Sequence, residues 1–337
     1  MHSLKILDVT LRDGGYVNNF HFGTTVLDKI LSDLIDSKVD AIELGFLKNC
    51  DYHEGSTWFN SVAEAESLVN KQYSIPSAQE FFLMIRPDWY DISQLQPCVG
   101  LIKNLRFAFH LRDFDILKEQ VKLAKEYGYN IFLNPVNITS YSRSALQNLL
   151  MSVSSLEPEA VAIVDTFGSL MKPDLCELAN IFHDNLNSSI SLCFHPHDNM
   201  LLSFSLSQLF IELFSGKRNI WIDSSLNGMG RAPGNLQTEL ILNFLNLTAN
   251  RSYHIPSVLK GISTVVSNFK LPLAWGYHPL YALSAFYKVH RSYPEFLLNS
   301  SNLELDAMQY IMLELQSNPQ KNNFNESLAL QLVNQFS

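Results

Sequence analysis

Residues 4–14 read Leu4-Lys5-Ile6-Leu7-Asp8-Val9-Thr10-Leu11-Arg12-Asp13-Gly14. A short apolar run of strand-like composition passes directly into a polar segment that ends in glycine. Thr24–Ser37 then carries Val26, Leu27, Ile30, Leu31, Leu34 and Ile35 at the three-to-four spacing of an amphipathic helix. The unit recurs. Strand-like runs stand at residues 5–9, 41–46, 81–86, 105–109, 130–134, 160–165, 189–194 and 219–223. Helical patterns at residues 117–127, 142–152, 172–185 and 235–247 lie among them, and Pro173 sits near the start of one, where a missing N–H costs little. A mean spacing of about 30 residues suits crossovers between parallel strands, and eight such units close a (β/α)8 TIM barrel. An open doubly wound sheet would share the alternation, but no Gly-x-Gly-x-x-Gly follows any of the runs.

The barrel is expected to occupy residues 1–249, as the catalytic domain. A helical C-terminal extension would follow over residues 250–337, with helical patterns at 257–269, 280–290 and 304–316 and Asn/Ser/Gln-rich stretches at 299–302 and 317–326. Apolar residues make up 47% of the 337, enough for a large core. Lys plus Arg total 24 against 33 Asp plus Glu, a net charge of −9 that disfavours nucleic acid as a partner. No run approaches the roughly 18 apolar residues of a membrane span. Residues 201–214 come nearest and are broken by Ser203, Ser205, Gln208 and Glu212. Residues 1–5 have no basic stretch leading into an apolar one, so no secretory signal is expected. The cysteines, Cys50, Cys98, Cys176 and Cys193, form no Cys-x-x-Cys pair and read as free thiols of a reducing compartment, which points to the cytoplasm.

Chemistry in such a barrel is carried at the C-terminal ends of the strands. Each run here ends on polar groups: Asp8 to Asp13, Glu43, Arg86, His110, Asn134, Asp165 to Ser169, His195 to Asn199, and Asp223 to Asn235. The sharpest pattern is His195-Pro196-His197. Two residues apart on an extended strand, both imidazoles point to one side and can chelate a divalent metal. An isolated pair of this kind is more often a surface or hydrogen-bonded one; the rim setting and Asp13, a natural third ligand, shift the reading to metal. Arg12 can serve as a salt-bridge partner of Glu43 and as a fixed donor to a ligand carboxylate or an enolate, and the two roles are compatible. Gly228-x-Gly230-x-x-Pro233-Gly234-Asn235 is a glycine-rich turn before a helix. It reads either as an ordinary tight turn or as a cradle for an anionic ligand.

Together, Asp8-Val9-Thr10-Leu11-Arg12-Asp13-Gly14, Glu43-Leu44-Gly45, His195-Pro196-His197-Asp198-Asn199 and the segment from Gly228 to Glu239 make the chain resemble the DRE-TIM metallolyases, on their aldolase-like branch. The resemblance spans about residues 5–247. It implies that Asp13, His195 and His197 bind Mn²⁺ or Mg²⁺, with Asn235 as a further ligand. It also implies that Arg12 stabilises an enolate oxygen and that Glu43 braces the site. Two departures stand out. The hydroxyoxovalerate aldolases carry a base histidine three residues after the aspartate, where this chain has Tyr16. The acyl-CoA lyases carry a cysteine in the glycine-rich loop, and residues 228–234 contain none.

The expected activity is therefore that of an aldolase-type carbon–carbon lyase, a metal-dependent enzyme making or breaking a bond beside a 2-oxo acid such as pyruvate, with an aldehyde as the other partner. An acyl-CoA-dependent condensing synthase and a barrel without catalysis, kept as a binding partner, are the alternatives. Tyr16 and His110 are the candidate bases, His110 having the better intrinsic pKa near neutrality. Arg12, Asn134, Asp165, Ser169, Gly228 and Gly230 are the candidate substrate contacts, and Tyr277 and His278 are placed to cap the site from the extension. The apolar residues Leu280, Leu283, Phe286, Tyr287, Ile311 and Leu313 exceed what a free tail needs, so they are expected to cover the barrel, a subunit partner in a homodimer, or both.

Overall fold

The computed structural model describes residues 2–72, 75–76, 78–270, 275–300 and 303–336. Ser301 and Asn302, in the polar stretch at 299–302, lie outside these. The chain begins with β1 (Leu4–Asp8), α1 (Thr24–Ser37), β2 (Ala41–Leu47), a two-residue β3 (Trp58–Phe59), α2 (Val62–Asn70) and β4 (Glu80–Ile85). It continues with β5 (Ile102–Phe109), α3 (Phe114–Glu126), β6 (Asn130–Pro135), α4 (Arg143–Ser154), β7 (Ala160–Val164) and α5 (Lys172–Asn185). Next come β8 (Ser191–His195), α6 (Ser203–Phe214), β9 (Ile220–Ser224) and α7 (Thr238–Thr248). The strands pair in parallel in the order β1-β9-β8-β7-β6-β5-β4-β2, and β1 pairs with β2 to close the barrel. The expected TIM barrel is thus present, with β3 added outside it against β2.

One unit departs from the pattern. Among the described residues no α-helix links β4 to β5; residues 86–101 form a loop with a single 3₁₀ turn, Ile92–Gln94. Pro87, Pro97 and Gly100 break any helical period there, and buried Tyr90 and Leu95 fill the gap instead. After the barrel come α8 (Ile255–Phe269), α9 (Pro279–Tyr287), α10 (Ser292–Ser300), α11 (Leu305–Ser317) and α12 (Glu326–Phe336). Helix α8 packs on α1 and α7 in the outer ring. Helices α9 to α12 share a separate small core around Leu280, Tyr293, Ile311, Met312 and Leu315. Leu283 and Tyr287 pack on it, whereas Phe286 and Leu313 stay exposed.

Strand periodicity sorts the barrel interior into layers. Phe82, Phe132 and Trp221 fill one layer edge to face, with centroids 4.8–5.5 Å apart. Two positions further along their strands the inward residues are Met84, Asn134 and Asp223, joined by Glu43 and Arg106. Arg106 is fully buried. Its Nη1 donates to Glu43 Oε2 at 3.2 Å, its Nη2 to Asp223 Oδ2 at 2.6 Å, and its Nε to Asn134 Oδ1 at 3.4 Å. Gly45, in β2, has φ +156°, and a Cβ there would lie 2.0 Å from the Thr57 carbonyl oxygen that receives the Phe46 N–H. The glycine of the Glu43-Leu44-Gly45 motif thus lets β2 meet its neighbour while Glu43 points inward. On the outward side of β1, Asp8 accepts from the Thr10 N–H at 2.9 Å and the Thr238 hydroxyl at 2.6 Å, tying β1 to α7.

Two outcomes follow. Arg106→Met strands two buried carboxylates and should lower unfolding stability by about 3–5 kcal/mol in urea titrations. Burial pushes the Asp8 carboxyl up to about 6, despite its hydrogen bonds to Thr238 and Thr10. Between pH about 4 and about 6 the folded chain therefore keeps a proton that the unfolded chain releases, so Asp8 makes stability fall as pH rises through that window. Asp8→Asn cannot ionise. Its stability relative to wild type should rise by about 2–3 kcal/mol from pH 4 to pH 7, as measured by guanidinium unfolding.

Candidate metal centre and cavity

Asp13 sits in the first turn after β1, where its N–H donates to Val9 O at 2.7 Å. His195 ends β8, and His197 forms a short bridge with Asn235 of the glycine-rich loop. One ligand atom from each of Asp13, His195 and His197 lies within 4.8 Å of the others, and all three residues are buried. The imidazole planes stand at 86° with centroids 4.9 Å apart.

The ring orientations are set from behind. His195 Nδ1 donates to Asp223 Oδ2 at 2.8 Å, the oxygen that Arg106 also holds. His197 Nδ1 donates to the Asp165 carbonyl at 2.7 Å. Since a carboxylate and a carbonyl only accept, each ring carries a proton on Nδ1, which makes Nε2 the atom each can offer to a cation. His197 Nε2 is buried without a hydrogen-bond partner, 4.0 Å from Asp13 Oδ2. Asn235 donates Nδ2 to Asp13 Oδ2 at 2.8 Å, while its buried Oδ1 lacks a partner. Gly230 is where the loop closes in, since a Cβ there would lie 2.5 Å from Asn235 Nδ2 and 3.1 Å from Asp13 Oδ2. These unsatisfied acceptors fit a divalent cation, which would replace the missing donors.

Charge is arranged to the same end. Burial raises the Asp13 carboxyl, but Arg12, then His195 and His197, outweigh it and hold the group ionised well below the usual range. Burial, reinforced by His195 and Arg291, pulls His197 down to about 3, so the ring is neutral. Arg12 donates Nη1 to Asp13 Oδ1 and Nε to Glu43 Oε2, both at 2.6 Å. An unbroken ionic chain, Asp13–Arg12–Glu43–Arg106–Asp223–His195, therefore runs across the barrel beneath the site.

Above it opens a cavity of about 350 Å³ at the C-terminal mouth. Of the residues singled out in the sequence, Arg12, Asp13, Tyr16, His110, Asn134, His195 and His197 line it together. Glu43 lies beneath, fully buried, bracing Arg12. The structure does not bring Asp165, Ser169, Gly228 and Gly230 to the cavity wall. The Asp165 carboxylate, pushed up by burial to about 7, turns back to accept the Ser169 and Leu170 N–H groups, and only its carbonyl reaches the site. Gly228, at φ +65°, shapes the loop by accepting the Asn235 N–H. Tyr277 and His278 do not cap the cavity either; Tyr277 is exposed, and His278 caps α9 by accepting the Leu280 N–H at 3.2 Å.

The cap comes from elsewhere in the extension. His290 and Arg291, between α9 and α10, and Asn323 and Phe324, before α12, cover the mouth together with Arg231. His290 N–H donates to Lys321 O at 2.7 Å, which joins the two segments. Lys288-Val289-His290-Arg291 is a basic cluster in a stretch poor in charge, a signal open to a sequence reader. Arg106, in the middle of an apolar strand, was another.

Comparison with known proteins agrees with these features. The HMGL-like family model matches residues 107–264. The 4-hydroxy-2-oxovalerate aldolase of Pelotomaculum thermopropionicum is 26% identical over 244 residues, 71% of this chain and 69% of that protein. The crystal structure of the N-terminal domain of a putative aldolase from Bacteroides vulgatus superposes with a TM-score of 0.76 at 23% identity, over 88% of this chain and 97% of that one. The HMG-CoA lyase of Brucella melitensis superposes with a TM-score of 0.64 at 13% identity, over 80% of this chain and 99% of that one. Residues 107–264 thus match an HMGL-like domain, and the motifs at the strand ends and the closed barrel make the chain similar to proteins of the DRE-TIM type.

Proposed function

We propose that this protein is a carbon–carbon lyase of the aldolase type that uses Mn²⁺ or Mg²⁺ and makes or breaks the bond next to the carbonyl of a 2-oxo acid, pyruvate in the simplest case, with an aldehyde as the other product or reactant. The observation that carries this reading is the convergence of Asp13, His195 and His197, each ring oriented through its Nδ1, beside an arginine at the mouth of a barrel. The relatives named 4-hydroxy-2-oxovalerate aldolase support the reaction class.

Asp13, His195 and His197 would hold the cation, with Asn235 able to turn its unpartnered Oδ1 toward it. A divalent ion so bound supplies Lewis acidity to the carbonyl oxygen of the 2-oxo acid. Arg12 adds fixed donors. Its Nε and Nη1 are taken by Glu43 and Asp13, which locks the guanidinium and leaves Nη2 for the oxygen on which enolate charge develops. Little reorganisation is needed at the moment of reaction, because the arginine is already held from two sides. Cleavage also requires a base to take the proton of the 4-hydroxyl. Burial lowers the pKa of His110, so the ring is unprotonated at neutral pH and able to accept. Tyr16, in the same cavity and packed beside Phe20 and Phe46, offers its hydroxyl as a hydrogen-bond donor to the aldehyde half.

Exchange of the pyruvate methyl protons with deuterium, followed by NMR, tests enolate formation without knowledge of the aldehyde. Wild-type protein loaded with Mn²⁺ should exchange them, and removal of the metal by chelation should stop exchange. His195→Ala should lose bound Mn²⁺ by elemental analysis together with exchange; a metal-free His195→Ala protein with full exchange would falsify the proposal. Arg12→Met should retain metal yet exchange on the order of 100-fold more slowly.

A further inference from the structure

Five arginines line the cavity, against three aspartates. Four of the five are matched. Arg12 is held by Glu43 and Asp13. Arg86 makes two hydrogen bonds to Asp88, at 3.0 and 2.7 Å. Arg112 lies 3.6 Å from Asp113, and Arg231 is bidentate on Glu295, at 3.0 and 2.8 Å. The fifth, Arg291, has no carboxylate or carbonyl on its guanidinium among the described residues, and its Nε is buried with no hydrogen-bond partner.

Arg291 is half-buried, with Nε enclosed and the rest of the guanidinium at the cavity wall; a buried N–H without a partner is costly, and one persists where a partner is supplied some of the time. Nor is Arg291 a loose surface side chain. His290 beside it is pinned to Lys321, and Tyr293, fully buried in the core of the extension, donates its N–H to His290 O at 3.0 Å. Arg291 lines the same cavity as Asp13, His195 and His197, together with the like charge of Arg231. His290 lines the same wall. Burial and the two arginines pull its pKa down to about 4, so it contributes a neutral ring rather than another charge.

We propose that Arg291 is a specificity-determining residue that receives an anionic group, carboxylate or phosphate, carried by the half of the substrate that is not the 2-oxo acid. The inference rests on the aldolase reading and adds the substrate class to it. The carboxylate of the 2-oxo acid has a partner of its own in the divalent cation held by Asp13, His195 and His197. Arg291 is the unmatched charge left over, and a cavity of about 350 Å³ exceeds what a three-carbon acid fills. Arginine's planar fork suits carboxylate and phosphate alike.

Calorimetric titration of the Mn²⁺-loaded full chain tests this without turnover. The probes are 2-oxohexanoate, 2-oxoglutarate and 2-oxo-4-phosphonobutanoate, which share the 2-oxo acid end and differ at the tail. Wild type should bind at least one of the two anionic-tailed acids about tenfold or more tightly than 2-oxohexanoate. Which of the two binds more tightly tells carboxylate from phosphate. That preference should fall to within about twofold in Arg291→Met and survive in part in Arg291→Lys, both checked for native circular dichroism. Equal affinity for all three acids in wild type, or an unchanged preference in Arg291→Met, overturns the inference and leaves the aldolase reading intact. If none of the acids binds to the metal-loaded protein, the aldolase reading fails and the inference falls with it.

Discussion

Arg106 places a positive charge in the middle of the barrel with no access to water, and the geometry of the site depends on how that charge is answered. Its two amino groups take one carboxylate on each side, Glu43 and Asp223. Each carboxylate then uses the same oxygen to fix a residue at the mouth, Glu43 for Arg12 and Asp223 for His195. A buried charge pair is weak evidence of stability in general, because desolvation offsets attraction. Here the chain of alternating charges does something an apolar layer could not. It fixes the direction of a guanidinium and the tautomer of an imidazole that line one cavity.

The polarity of the barrel is stratified accordingly. An aromatic layer of Phe82, Phe132 and Trp221 seals the interior below, the ionic layer lies above it, and Asp13, His195 and His197 lie above that. Burial alone would make Asp13 prefer its protonated form and His197 its neutral form. The neighbouring Arg12 reverses the first tendency and leaves the second for His197. An ionised carboxylate beside two imidazoles results, a donor set suited to a divalent cation. The C-terminal helices complete the arrangement by closing the mouth with a basic segment, so the wall facing the metal centre comes from sequence far outside the strand-end motifs.

Much of this was legible beforehand, and the reasons are local. A two-residue spacing on a strand forces His195 and His197 to one side, whatever the rest of the chain does. The alternation of short β-branched runs with helical periods implies parallel strands because nothing shorter can return the chain. Arg12 and Glu43 could be paired because they end neighbouring strands. What was not legible depends on direction within loops. Asp165 occupies a rim position in sequence, yet two backbone N–H groups draw its carboxylate back into its own turn. Gly228 and Gly230 look like an anion cradle, yet their lack of side chains serves the approach of Asn235 to Asp13. Residues 86–101 were assigned a place in a regular unit, and two prolines made them a loop.

The sequence by itself determined the barrel, the order of its strands and the identity of the three residues that meet at its mouth, because strand parity and parallel crossovers leave few alternatives. The tertiary structure decided which arginines are matched and which is not, and which part of the C-terminal region covers the site. Those outcomes depend on residues far apart in the chain, such as Asp13 and Arg291, coming to line one cavity, and no local period or spacing encodes them.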